Sequence, residues 1–297
     1  MNSVKQAPWG HFENLDALAA AGLQDGRFAV SIDGGRFEAW LQRQPGKHLW
    51  VLLSAARDPR RSVLPTFNRW SWAPRFPGSV LCISDPTLFL DPERMRIGWY
   101  VGTAQADWQG GLADLVRCVA SMLGLPTRRV IAYGSSAGGF ASLMLAARLG
   151  DATAVAINPQ AEVLNYARPA VDKLLALAFG GRADTALTAD ERLRLSAVER
   201  YLRTPEVRCL YVQNRLDRSH HTRHFRPFAL ALGVPLDGGA DESGRLVADL
   251  YDDPRGHAPE PAEMVAGIIA RAAALADADL PMRFVPTRPI QPDHRPT

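Results

Sequence analysis

Cysteine is scarce in this 297-residue chain: Cys82, Cys118 and Cys209 are an odd number with no Cys-x-x-Cys spacing. That argues against a disulfide framework or a zinc ribbon and for a reducing, cytoplasmic compartment. An excess of charge of one sign is missing too. The 34 Lys and Arg stand against 31 Asp and Glu, a net +3, which is too small to point to nucleic acid or an anionic membrane as partner. No uncharged apolar run reaches the roughly 18 residues of a membrane span. The nearest, Val265 to Leu280, is broken by Arg271, Asp277 and Asp279 and reads as an amphipathic helix. The opening MNSVKQAPWG has no signal-peptide core, and neither repeats nor low-complexity tracts occur. With 47% hydrophobic and 22% charged residues, the composition is that of a soluble globular protein, and the length suits one large α/β domain.

Short apolar runs alternate with helix-periodic segments along the chain. Arg27 to Ile32 and Arg36 to Gln42 flank Asp33-Gly34-Gly35, a tight-turn signal between two antiparallel strands. Then follow HLWVLL (48–53), SVLCIS (79–84), RVIAY (129–133), ATAVAIN (152–158), VRCLYVQ (207–213) and LVADLY (246–251). These runs are apolar almost throughout rather than at alternate positions, as expected of strands buried on both faces of a parallel sheet. Leu112, Leu115, Val116, Val119, Met122 and Leu123 keep a helical period that Gly124 and Pro126 stop. Phe140, Leu143, Met144 and Ala147 form a second stripe, closed by Gly150. The pattern predicts about eight strands, mostly parallel, with helices on both faces. Residues 161–205 are too long for an ordinary connection and carry helical periodicity at Val171, Leu174, Leu175 and Leu177 and again from Leu193 to Leu202. They predict an inserted helical cap within one domain spanning 1–280. Residues 281–297 form a Pro-rich tail that builds neither helix nor ladder.

The segment Tyr133-Gly134-Ser135-Ser136-Ala137-Gly138-Gly139 contains Gly-x-Ser-x-Gly centred on Ser136. Composition alone produces such a pentapeptide in about one chain in ten of this kind. Its position, directly after a buried strand and before an amphipathic helix, is what makes it specific. A serine at the tip of so sharp a turn is exposed to attack a substrate, its flanking glycines leave room for close backbone approach, and the helix N-terminus faces developing negative charge. The bland reading is a glycine-rich turn whose serine caps the helix. Ser136 stands where a dinucleotide fingerprint needs glycine, and no phosphate-binding Walker pattern exists.

A serine nucleophile needs a base, and the base a carboxylate. On such a sheet they follow in the order Ser, Asp/Glu, His at the ends of later strands. Asp217 lies just past the strand 207–213, and His257 follows the last strand, so Ser136, Asp217 and His257 are the candidate triad. Asp252 and Asp253 are alternative acids, although residues so near His257 in one loop are more often solvated turn formers.

With these residues in place, the chain resembles the α/β-hydrolase-fold serine hydrolases over approximately residues 27–280. Through Ser84-Asp85-Pro86-Thr87-Leu88, Gly98-Trp99-Tyr100 and the 133–139 segment it also resembles hydrolase-like proteins of bacterial surface-polysaccharide gene clusters. The resemblance implies an oxyanion hole of two backbone N–H groups. One is that of Ala137; the other belongs to the loop after strand 48–53, where His-Gly-Gly is common and this chain has Ser54-Ala55-Ala56-Arg57. Ala55 or Ala56 is the second donor on this pattern.

Four arginines, Arg215, Arg218, Arg223 and Arg226, surround Asp217. They form either a solvated helix face or an edge, with Arg218 foremost, that attracts an anionic substrate. His220 and His224 have metal-ligand spacing, but His221 stands where the zinc-protease motif needs glutamate. Phe67, Trp70, Trp72, Phe76, Trp99, Tyr100 and Trp108 could stack on a sugar or acyl chain, with core packing the commoner role. Asp85 could hydrogen-bond a substrate hydroxyl or anchor its loop. The expected activity is cleavage of an ester or related acyl bond in a small molecule or glycan, without metal or organic cofactor. Acyl transfer to a glycan hydroxyl, peptide cleavage and a non-catalytic accessory role in polysaccharide assembly are the alternatives.

Overall fold

The computed structural model describes residues 7–283, so all but the first three residues of the Pro-rich tail lie outside the described part. One mixed sheet of ten strands forms the middle layer: β1 (Gly10–Phe12), β2 (Gly26–Ile32), β3 (Gly35–Gln42), β4 (Leu49–Leu53), β5 (Ser79–Ile83), β6 (Val130–Ser135), β7 (Thr153–Ile157), β8 (Arg208–Asn214), β9 (Gly239–Ala240) and β10 (Leu246–Tyr251). Their order across the sheet is β1-β2-β3-β5-β4-β6-β7-β8-β10-β9. The six near-continuous apolar runs became β4, β5, β6, β7, β8 and β10, and these six pair in parallel. The two-residue turn at Asp33 and Gly34, both at positive φ, joins antiparallel β2 and β3, as the turn chemistry requires. Eight strands were expected and ten are observed. The additions, β1 and β9, have three and two residues at the sheet's edges, too short to impose a period on the sequence.

Burial on both faces explains why these strands lack polar alternation. In β4, Leu49, Val51 and Leu53 join the core formed with helices Trp108–Met122 and Ala137–Leu149. Trp50 and Leu52 join the opposite core, formed with helix Val265–Asp277 and the turn Trp70–Arg75. Successive side chains of a strand point to opposite faces, so each of the six parallel strands serves both layers. The aromatic residues divide in the same way. Phe67 and Phe76 are buried in one core with Trp70 and Trp72 packed against it, while Trp99, Tyr100 and Trp108 lie in the other. They do not line a common mouth.

Between β7 and β8 the chain makes three helices, Arg168–Ala178, Ala189–Leu193 and Ala197–Tyr201. Val171, Leu174 and Leu175 are buried as their period predicted, whereas Leu177 faces solvent. Arg194 fastens this segment to the body: its guanidinium donates to the carbonyls of Val101, Thr103 and Ala106 at 3.1, 2.7 and 3.1 Å.

The turn from β6 into its helix is packed backbone against backbone. A Cβ on Gly138 would overlap the carbonyl oxygen of Leu53 in β4, and one on Gly134 would overlap the Gly138 backbone. Gly138→Ala is therefore expected to lower stability by about 1–3 kcal/mol, the cost of overpacking. Gly267→Ala, in an exposed helical position whose Cβ meets nothing, is expected to raise it by about 0.5–1 kcal/mol. Urea denaturation of both variants measures the difference.

Candidate active site

Ser136 joins β6 to its helix at φ 54° and ψ −119°. No L-residue takes up that conformation without strain, of order 1–3 kcal/mol. The turn is held by Ser136 N–H donating to the Ile157 carbonyl at 2.9 Å and by the Ser136 carbonyl accepting from Phe140 at 3.0 Å. The Ser136 side chain does not cap the helix, which removes the bland reading of the motif and leaves the hydroxyl turned to other partners.

Those partners come from two later strands. Asp217 follows β8 and is 4% exposed. His257, in the loop after β10, has a side chain 38% exposed. The Ser136 hydroxyl lies 3.1 Å from His257 Nε2, and His257 Nδ1 lies 2.6 Å from Asp217 Oδ2. The alternative acids are engaged elsewhere: Asp252 makes a two-point ion pair with Arg215 and Asp253 pairs with Arg255. Burial by itself would raise the Asp217 carboxyl, but donors from His220 and His257 outweigh it and hold the group well below the usual carboxylate range.

Two asparagines at the ends of neighbouring strands fix the loop carrying His257. Asn158 Nδ2 donates to the Ala258 carbonyl at 3.0 Å and Asn214 Nδ2 to the Gly256 carbonyl at 2.8 Å, so the carbonyls of both residues flanking His257 are held. Asn214 N–H in turn donates to Asn158 Oδ1 at 2.7 Å. Further along the same loop, Glu260 takes a two-point ion pair from Arg69, at 3.0 and 2.6 Å, and a 2.7 Å bond from the Tyr133 hydroxyl. Arg69 also donates to Ser135 Oγ at 3.1 Å. The His257 loop and the Ser136 turn thus share one buried charge pair.

Sequence reasoning missed two residues of the network around Ser136, Gln160 and His220. Gln160 Nε2 lies 2.9 Å from Ser136 Oγ and 2.7 Å from His220 Nε2, while Gln160 Oε1 accepts the Trp99 indole N–H at 3.0 Å. His220 Nδ1 reaches Asp217 at 3.1 Å, and its ring stacks on that of His257 with centroids 3.9 Å apart and planes 7° off parallel. Nothing in the sequence around Gln160 marks it. His220 was conspicuous only for its spacing to His224. Asp217, His220 and His257 bring three ligand-type atoms together, but stacked, nearly parallel rings do not converge their lone pairs on one ion.

The other predicted residues divide. Ala137 is the first residue of the helix, where N–H groups have no intrahelical acceptor. The Ala55 N–H donates to Asn68 Oδ1 at 3.1 Å and that of Ser54 to the Tyr100 hydroxyl at 2.6 Å; Ala56 N–H has no partner among the described residues. Asp85, 2% exposed, is a correction. It accepts from Thr87 N–H at 2.9 Å and from the backbone at Gly98 and Tyr100, so it anchors a loop and offers no face to a ligand. Burial pushes its pKa up to about 6, against those hydrogen bonds. Trp99 is corrected likewise: it is fully buried at a positive φ of 53°, with its indole N–H directed at Gln160, so it cannot stack on a substrate. Arg218 is exposed beside Asp217 and makes no ion pair among the described residues.

No protein-family model matches the chain, and no curated protein sequence matches it. Solved structures do. A capsule O-acetyltransferase of Neisseria meningitidis serogroup A superposes with a TM-score of 0.58 at 14% identity, over 84% of this chain and 94% of that one. FphF, a fluorophosphonate-binding serine hydrolase of Staphylococcus aureus, gives 0.52 at 14% identity over 82% and 93%. An acetyl xylan esterase from Paenibacillus gives 0.52 at 17% identity over 87% and 92%. With the strand order and the strand-turn-helix at Ser136, this likeness establishes that the chain has the α/β-hydrolase fold.

Proposed function

We propose that the protein is a serine hydrolase that cleaves an ester or related acyl bond through a covalent intermediate on Ser136. The observation that carries this reading is the hydrogen-bonded line Ser136–His257–Asp217, drawn from three separate strand ends. His257 Nε2 accepts the Ser136 proton as Oγ bonds to the acyl carbon, then delivers it to the departing alcohol. Asp217 holds the Nδ1–H and offsets the imidazolium charge that forms. A water repeats the sequence in reverse, with His257 as its base, to release the acid. Ala137 N–H supports the oxyanion. With the Ser54 and Ala55 groups engaged, Ala56 is the better candidate for the second donor. Residues 161–205 act as the cap over this edge of the sheet, and Arg218 is the cation available to an anionic substrate.

Acyl transfer to a glycan hydroxyl is the second reading, favoured by the likeness to a capsule O-acetyltransferase. It uses the same residues, with the acceptor hydroxyl in place of water, and product analysis in the presence of an added glycan separates the two. A purely accessory role predicts no labelling by a fluorophosphonate probe.

Ser136→Ala is expected to keep its melting temperature and to lose p-nitrophenyl acetate hydrolysis and probe labelling by at least about 10⁴-fold; retention of most activity overturns the assignment. Asp217→Asn is expected to lose about 10⁴-fold in kcat, as a carboxylate that holds the base should, and Asp252→Asn less than about threefold because Asp252 is spent on an exposed arginine. Asn214→Ala releases the Gly256 carbonyl and is expected to lower kcat about tenfold or more through displacement of His257, read by steady-state kinetics.

A further inference from the structure

The hydrogen bonds around Ser136 close into a ring: Ser136, His257, Asp217, His220, Gln160 and back to Ser136. The Asp217 carboxylate only accepts, so both imidazoles donate to it, and Trp99 fixes the sense of the amide opposite. An indole N–H only donates, so the atom 3.0 Å from it must be the oxygen of the Gln160 amide. The two N–H groups of that amide then point at Ser136 Oγ and at His220 Nε2. His220 Nε2 must therefore accept, which makes His220 neutral with its proton on Nδ1, donated to Asp217. Ser136 Oγ, already receiving a donor, has His257 Nε2 as the acceptor for its own proton. Trp99 and Gln160 are fully buried and His220 is 5% exposed, so solvent does not compete for these bonds.

We infer that Gln160 is a further catalytic residue, touching the reacting oxygen, and that His220 and Trp99 are positioning residues behind it, the three together directing the Ser136 proton onto His257. The inference rests on the reading of Ser136, His257 and Asp217 given above. It adds a second arm, from Gln160 through His220 to Asp217, to the line in which Ser136 donates to His257 and His257 to Asp217. Protonating His220 breaks the bond from Gln160, because its Nε2 then presents a hydrogen to the amide hydrogens, and sets a cation against the stacked His257. His220 faces Asp217 on its own turn, His224 one turn on, His257 from the loop after β10, and Tyr166 and Gln160 from the segment after β7. Burial lowers its pKa from the ordinary imidazole value, against the pull of Asp217, and a charged His257 lowers it further. Burial thus favours the neutral form that the bond from Gln160 requires.

The test uses the full chain with p-nitrophenyl acetate and a fluorophosphonate probe. Gln160→Glu keeps the shape but replaces a donor with an acceptor. It is expected to lower both kcat and the labelling rate of Ser136 by about a hundredfold, more than Gln160→Ala does. Trp99→Phe is expected to lower kcat about tenfold with KM unchanged. His220→Phe keeps the stack and removes both hydrogen bonds, so the acid limb of kcat/KM, carrying two protons in the native chain, should carry one. Should thermal melting show that Gln160→Glu does not fold, the Trp99 and His220 variants decide. Gln160→Glu as active as Gln160→Ala or more so, or native kcat and a native acid limb in the other two, overturns the inference. If in addition Ser136→Ala is inactive, the underlying reading stands without it; if Ser136→Ala is active, that reading itself has failed.

Discussion

The fold turns on a steric constraint at one point, where the backbone after Ser136 passes so close to the end of β4 that position 138 requires glycine, and so close to the end of β6 that position 134 does too. That proximity forces the strained conformation of Ser136, and the strain keeps its hydroxyl off the helix N-terminus, where a relaxed serine would cap. It also sets the helix axis, and with it the N–H of Ala137. The surrounding hydrophobic layers oppose relaxation. Helix Ala137–Leu149 is buried along almost its whole length, so the turn could relax only by displacing a packed helix.

Around this point the later strands contribute by position rather than by local sequence. β7 ends in Asn158, β8 in Asn214 and then Asp217, and β10 leads into the loop of His257. Parallel strands in register bring their C-terminal ends to one edge. Side chains from 136, 158, 214 and 217 are therefore neighbours although the chain between them is long. Asn158 and Asn214 convert that adjacency into an orientation by holding the carbonyls on either side of the imidazole.

This explains what could be read from the residues alone. Each of the six parallel strands announced itself by an apolar run, since burial on two faces leaves no room for polar alternation. Ser136 was marked by its glycines, and Asp217 and His257 by their place after strands. Gln160 carried no such mark, because its role depends on an indole 61 residues away in sequence and on an imidazole 60 residues further on. Asp85 was read as a substrate contact or a loop anchor from its place at a strand end, and Trp99 as one of a group of aromatics able to stack or to pack in the core. Whether a side chain there faces outward or back into the protein is set by backbone torsions, and the positive φ of Trp99 turns its indole inward. The two edge strands were too short to leave a period.

The Arg69–Glu260 pair has a consequence for motion. Its two side chains are 8% and 0% exposed, and separating a buried pair strands an uncompensated charge at a cost of about 3–5 kcal/mol. A swing of the imidazole-bearing loop large enough to part them would therefore be populated in fewer than about one molecule in a hundred at room temperature. Local motion around Ser136 that keeps this pair intact accordingly leaves the His257 loop in place.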